Sequence, residues 1–234
     1  MIEVEWWDYD GIAELADAVA GDVGFIIESA LDARGQAIIA LPGGKTPETI
    51  FTRLAQAKMD WKRVTIIPTD DRLVPVTDPL SNVAMMAKAF LPLGARVLPL
   101  TSAAAEDYRM AGKAADARLQ ELHWPPDLVW LGVGSDGHTA SIFAGPDFDE
   151  ALNGPKGRRA LGVMPDPLPA QAPVPRVTLS RAAILSARAI MIALTGAEKR
   201  RVLEQAIEDG ASSNTPIGRV LAEAEQPIDI HWSA

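Results

Sequence analysis

The densest set of chemically capable residues in this chain lies between Leu128 and Ser141, where an apolar run, Leu128-Val129-Trp130-Leu131, leads into Gly132-Val133-Gly134-Ser135-Asp136-Gly137-His138-Thr139-Ala140-Ser141. An imidazole of ordinary pKa, about 6.5, is substantially neutral near pH 7 and can take a proton from water. Asp136 stands two positions before His138 and can orient or electrostatically tune the ring, so the two read as a water-activating pair. His123 and His231 lack that glycine-rich setting and suit plain structural hydrogen bonding. Two other chemistries fit the stretch poorly. Gly132, Gly134 and Gly137 match G-x-G-x-x-G, but a dinucleotide site also needs a substantial helix, a second strand and an acidic residue about 20 positions on. Here Ala144 to Gly157 is instead rich in Gly, Pro and Asp. A nucleophilic serine in a G-x-S-x-G elbow would need glycine at position 133, which is Val133.

Two further segments suit an anion. Pro42-Gly43-Gly44-Lys45-Thr46-Pro47 follows the apolar run that ends at Leu41. Its glycines permit close backbone approach, and its amides together with Thr46 can bind a phosphate. It is not a nucleotide-triphosphate loop, which wants a glycine five positions before Gly44, where Ile39 stands. The other segment is Asp70-Asp71-Arg72, followed by Ser81-Asn82. Arginine fixes a phosphate or carboxylate through paired donors.

The elements that must position these groups can be read from the same pattern. Apolar runs at Ala37 to Leu41, Val64 to Ile67, Leu128 to Leu131 and Ile190 to Leu194 predict buried strands, with a weaker fifth at Val97 to Leu100. Helical patterns cover roughly residues 11–33, 47–58, 79–91, 104–122 and 197–209, with Pro47 and Pro79 suited to first turns. Alternating strands and helices imply an α/β fold, a Rossmann-like, mostly parallel sheet flanked by helices. In such a sheet, ligands sit beyond the carboxyl ends of the strands, where helix N-termini offer free amides. All three candidate segments fall at such ends. Between residues 144 and 176, Pro146, Pro155, Pro165, Pro167, Pro169, Pro173 and Pro175 leave little room for regular structure and predict a long loop beside the site.

Composition narrows the classes. The 234 residues suffice for one full core, and a single domain over 1–234 is the simplest division. There is no cysteine, which excludes disulfides and thiolate chemistry, and the three histidines are scattered, so no metal site is expected. A formal charge of −9 opposes general attraction to nucleic acid or anionic lipid, and an anionic ligand would need a local cluster of donors. The chain has neither a long uncharged apolar run nor a basic, then apolar, N-terminus, so a cytoplasmic location is the expectation.

Taken together, the segments resemble the 6-phosphogluconolactonase family, which is related to glucosamine-6-phosphate deaminases. The resemblance rests on Gly43-Gly44-Lys45-Thr46-Pro47, Asp70-Asp71-Arg72, Ser81-Asn82 and, above all, Gly132 to Ser141. Pro175-Arg176-Val177-Thr178-Leu179 and Thr195-Gly196-Ala197-Glu198-Lys199 extend it and place Arg176 and Lys199 where that family carries basic groups. Deaminases continue from Asp-Gly-His through Ile-Ala-Phe-Asn-Glu, whereas here Phe143 stands at the glutamate position and Arg72 where a deaminase usually has tyrosine. Asp71 stands where the family commonly has glutamate. The resemblance implies cofactor-free hydrolysis of a small phosphorylated sugar lactone in the oxidative pentose phosphate pathway, with His138 and Asp136 catalytic. Gly43, Gly44, Lys45, Thr46, Asp70, Arg72, Ser81, Asn82, Gly134, Gly137, Arg176 and Lys199 would bind substrate. No obligate protein partner is expected. The competing readings are deamination of glucosamine 6-phosphate and a sugar-phosphate-binding protein that has lost turnover.

Overall fold

In the computed structural model, which describes residues 2–101 and 107–234, the chain opens with strand β1 (Val4–Tyr9) and helix α1 (Ile12–Arg34). Leu15, Ala16, Val19, Ala20, Val23, Ile27, Ala30 and Leu31 recur at helical spacing and form the buried face of α1. The helix stops where Gly35 enters the left-handed region at φ 75°. Strand β2 (Ala37–Leu41) is buried throughout, and α2 (Lys45–Leu54) begins directly after the turn Pro42-Gly43-Gly44. Then follow β3 (Val64–Pro68), β4 (Asp70–Arg72), α3 (Asn82–Phe90), β5 (Arg96–Val97), α4 (Tyr108–Gln120) and β6 (Leu128–Leu131).

The second half contains α5 (Phe148–Asn153), β7 (Ala160–Val163), β8 (Arg176–Leu179), α6 (Arg181–Leu185), β9 (Ala189–Thr195), α7 (Ala197–Asp209), α8 (Pro216–Leu221) and β10 (Ile228–Ser233). The main sheet has seven strands in the order β1-β10-β9-β6-β2-β3-β5, every neighbouring pair parallel. A small antiparallel sheet, β4-β8-β7, stands beside it. One core cluster packs α1, α2 and α3 on one face of the main sheet, with Phe51 edge-on to Trp130. The other packs α4, α6, α7, α8 and the small sheet on the opposite face. This is the expected single-domain α/β layering.

Several boundaries differ from the sequence reading, each for a physical reason. Strands β1 and β10 were not expected, because Val-Glu-Trp-Trp-Asp-Tyr and Ile-Asp-Ile-His-Trp-Ser alternate with polar residues instead of forming apolar runs. That is the pattern of strands at or next to a sheet edge. The weak fifth strand is Arg96–Val97 and not Val97 to Leu100. Pro79 lies ahead of α3, whose cap is Ser81, while Pro47 does occupy the first turn of α2. Of the pattern at 104–122, residues 104–106 lie outside the described residues, and α4 occupies Tyr108–Gln120. The segment 144–176 is not one long loop: α5 fits between Pro146 and Pro155, and β7 between Pro155 and Pro165. The prolines stand at element boundaries, where a missing N–H costs little.

Candidate active site

The sheet order reverses between β2 and β6: from β2 the chain moves outward to β3 and β5, and from β6 it moves the other way to β9 and β10. In an open parallel sheet the crevice at that reversal, beyond the carboxyl ends, is where a ligand fits. The ends of β9, β6, β2 and β3 are consecutive there, and each is followed by one of the segments singled out by sequence. Together with β8 they enclose a cleft of about 850 Å³.

Each wall has an identifiable local cause. After β2, the chain passes so close to α3 that a Cβ on Gly43 would lie 1.8 Å from Asn82 Oδ1, so position 43 accepts only glycine. After β3, Asp71 turns inward and is fully buried. Its carboxylate accepts bonds from the amides of Asn82 at 2.6 Å and Val83 at 3.1 Å and from the Ser81 hydroxyl at 3.0 Å. Burial raises the Asp71 carboxyl above the ordinary range, and these bonds pull it back. Asp71 thus adds to the capping of α3 by Ser81, the kind of contact whose loss costs about 0.5–2 kcal/mol. The side chain at 71 needs only to reach this helix terminus, and the aspartate does so. Asn82 is held in turn, its amide donating to the Asp70 carbonyl at 2.7 Å while its oxygen accepts from Arg72.

Pairing of β4 with β8 sets Arg72 directly opposite Arg176. Like charges facing each other across a strand pair are unfavourable. Arg176 is 96% removed from solvent, and among the described residues its only side-chain hydrogen bond is a 3.4 Å contact to the Ala172 carbonyl. The Nε atoms of both arginines are buried with no partner among the described residues. Burial lowers the Arg176 guanidinium from its ordinary value, Asp70 opposes this, and Arg72 reinforces it. Two adjacent guanidiniums with unpartnered Nε atoms, both lining the cleft, have the chemistry to receive a dianionic group such as a phosphate. Asp70 is buried beside them, its carboxylate accepting from the Ser141 hydroxyl at 2.5 Å.

After β6, the chain curls back on itself. The Gly134 amide donates to the His138 carbonyl at 2.9 Å, and a Cβ at 134 would lie 2.2 Å from His138 Nδ1. Glycine at 134 is therefore what admits the histidine ring. Nδ1 is 2.5 Å from Asp136 Oδ1, and this bond holds the Asp136 carboxyl below the ordinary carboxylate range against its partial burial. An ionised Asp136 can only accept, so Nδ1 carries the proton and Nε2 is the nitrogen free to take another. The imidazole ring lies against Phe143, centroids 4.3 Å apart.

The cleft is lined by Gly43, Gly44, Lys45, Thr46, Asp70, Arg72, Ser81, Asn82, Gly134, His138, Arg176 and Lys199. Asp136 stands behind His138, and Gly137 is buried against Thr215 with its carbonyl bonded to the Ile217 amide, so neither lines the cleft. Further lining residues, Glu48, Met85, Phe143 and Gln171, were not singled out as site residues. For Phe143 a signal existed, since it directly extends the glycine-histidine motif. Gln171 sits in the proline-rich stretch, where no local pattern marks it. Among the described residues, no three His, Asp or Glu side chains are grouped so as to hold a metal ion.

Comparison with known proteins shows what the chain as a whole is similar to. Residues 11–232 match the family described as glucosamine-6-phosphate isomerases/6-phosphogluconolactonase. A 6-phosphogluconolactonase of Rhizobium meliloti is 35% identical over 229 residues, covering 96% of this chain and 97% of that protein. The crystal structure of a 6-phosphogluconolactonase from Shewanella baltica superposes with a TM-score of 0.90 at 31% identity over 100% of both chains. The three-dimensional structure of the Trypanosoma brucei 6-phosphogluconolactonase gives a TM-score of 0.86 at 26% identity, covering 100% of this chain and 97% of the other.

Proposed function

We propose that this chain, which belongs to the glucosamine-6-phosphate isomerase/6-phosphogluconolactonase family, hydrolyses 6-phospho-D-glucono-1,5-lactone to 6-phospho-D-gluconate. The observation that carries the reading is the placement of an Asp136-oriented imidazole in the same cleft as two arginines whose buried Nε atoms have no partner among the described residues. The arginines, with the Gly43 to Thr46 turn and Lys199, hold the phosphate and so fix the lactone ring where water beside His138 reaches C1. His138 Nε2 takes a proton as the water oxygen bonds to C1, and the carbonyl electrons move onto its oxygen. Donors that meet this oxyanion, from Arg72 or the backbone amides of the glycine turn, act on the transition state more than on the ground state. Collapse of the intermediate breaks the C1–O5 bond, O5 takes the proton from His138, and the open-chain acid leaves.

This chemistry needs no cofactor and takes a small phosphosugar lactone as its only partner. The reading makes the protein a cytoplasmic enzyme of the oxidative pentose phosphate pathway, independent of nucleic acid, membrane and any obligate protein partner. The described residues include no helix long and apolar enough to cross a membrane. Base titration at constant pH of freshly made lactone, with spontaneous hydrolysis subtracted, tests the activity, since each turnover releases a carboxylic acid. Acceleration of the lactone without turnover of glucosamine 6-phosphate is the expected result, and the reverse pattern would establish the deaminase. In the same assay, Arg72→Ala should lower kcat/KM for the phosphorylated lactone about 10- to 100-fold, the effect of losing charge-assisted bonds worth about 1.5–3 kcal/mol. An unphosphorylated lactone should lose far less. Equal losses on both substrates would move Arg72 from phosphate recognition to the carbonyl.

A further inference from the structure

We propose that Phe143 is a positioning residue whose ring forms a common wall for His138 and Arg176, tying the proton-transfer group to the anion-binding group. The proposal rests on the lactonase reading above. The imidazole of His138 stacks on the Phe143 ring with centroids 4.3 Å apart and planes 21° from parallel. The Arg176 guanidinium carbon stands 5.2 Å from the centroid of the same ring.

The local chain explains how this comes about. Ala140 adopts a left-handed conformation at φ 48°, the one non-glycine residue among those described to do so. It lies inside a tight reversal in which the Ile142 amide donates to the Thr139 carbonyl at 2.9 Å. The reversal is anchored to the small sheet, the Ser141 amide donating to Thr178 Oγ1 at 3.1 Å and the Ser141 hydroxyl to Asp70 at 2.5 Å. Strain of this kind persists only where the surroundings impose it, and here it folds Phe143 back over the residue five positions before it. Phe143 also lines a void of only about 10 Å³ together with Pro146, Phe148, Met164 and Pro165. That is at the threshold for a single water, so the ring has no room to retreat.

The face of an aromatic ring attracts cations. Arg176 meets that attraction permanently, whereas His138 meets it fully only when protonated, which in the lactonase reading is during the transition state. The ring therefore supports kcat through His138 and KM through Arg176. A side chain of equal bulk without the ring would fill the space and lose both effects.

The test compares Phe143→Leu with Phe143→Tyr in the intact chain. Lactone kinetics are measured alongside the His138 ring signal in proton–carbon NMR, assigned by its loss in His138→Ala. In Phe143→Leu, kcat should fall and KM for the phosphorylated lactone should rise, each by roughly 3- to 10-fold, the span of single aromatic contacts. Phe143→Tyr should restore both to within about twofold. The His138 signal should lose its ring-current shift in the leucine variant alone, and inorganic phosphate should move that signal in wild type and in the tyrosine variant but not in the leucine variant. Kinetics within about twofold of wild type in a folded Phe143→Leu, or losses that tyrosine does not rescue, would overturn the proposal. If Phe143→Leu does not fold, the tyrosine variant decides: loss of its phosphate-dependent His138 shift would also overturn it. Should wild type fail to accelerate lactone hydrolysis, the lactonase reading falls, while the phosphate-dependent NMR shift still decides whether Phe143 links the two groups.

Discussion

His138 and His231 each have a carboxylate and an aromatic ring for neighbours, yet they occupy opposite situations. His138 Nδ1 is 2.5 Å from Asp136, its ring lies on Phe143, and its side chain is 30% exposed at the cleft. His231 stacks on Tyr9 with planes 5° apart and bonds its hydroxyl at 2.9 Å, but only 1% of it reaches solvent. Asp22 stands 3.6 Å from His231 Nε2, close enough to be felt as a charge but too far for a hydrogen bond, and that nitrogen has no bonding partner among the described residues. Burial lowers the His231 imidazole below its ordinary value, with Asp22 and Asp229 opposing. The same ingredients therefore give a ring with one nitrogen open to the cleft in one place and a packed, sealed ring in the other. What differs is which nitrogen the carboxylate engages and whether the other can meet water.

The largest effect expected from breaking this contrast is on turnover. His138→Ala should lower kcat by about 10²- to 10⁴-fold, the usual contribution of a general base, while leaving the unfolding temperature nearly unchanged; turnover close to wild type would remove His138 from the mechanism. A smaller loss should follow Asp136→Asn. The carboxylate is 60% exposed, so its bond to the imidazole belongs at the low end for charged hydrogen bonds, and kcat should drop about tenfold. A loss as large as that of His138→Ala would mean that Asp136 does more than orient the ring. Smallest in activity, and different in kind, is His231→Gln, which should leave kcat within about twofold.

That variant should instead alter how stability depends on pH. The folded-state imidazole of His231 lies below its unfolded value of about 6.5, so its contribution is fully present above that value and is lost as pH falls through the lowered one. Thermal unfolding followed from pH 7.5 to 5 should show a shallower decline for His231→Gln than for wild type. Parallel curves would show that the buried ring takes up protons as readily as an exposed one.

The fold was largely legible because fully buried parallel strands announce themselves as apolar runs, as at Ala37–Leu41 and Leu128–Leu131. Strands β1 and β10 escaped because at and beside an edge the burial alternates, and charged residues such as Glu5 and Asp229 then interrupt the signal. Proline density misled at 144–176, since counting prolines says nothing about whether they fall inside elements or between them. In the site, the glycine-histidine turn and the Gly43 turn could be read directly, because close approach and strand-to-helix reversal are local demands on residue type.

Other features depended on residues far apart in the chain. The sequence determined that His138 would have a carboxylate within reach, because Asp136 is two positions away and Gly134 leaves space for the ring. It also determined that Asp70-Asp71-Arg72 would emerge at a strand end. Only the tertiary structure decided that Asp71 caps α3 while Arg72 faces Arg176, a pairing set by the register of two strands about 100 residues apart. It likewise decided that His231 is sealed and His138 open. Local spacing governs which groups can meet within a turn, but burial and cross-strand register are properties of the whole packed chain.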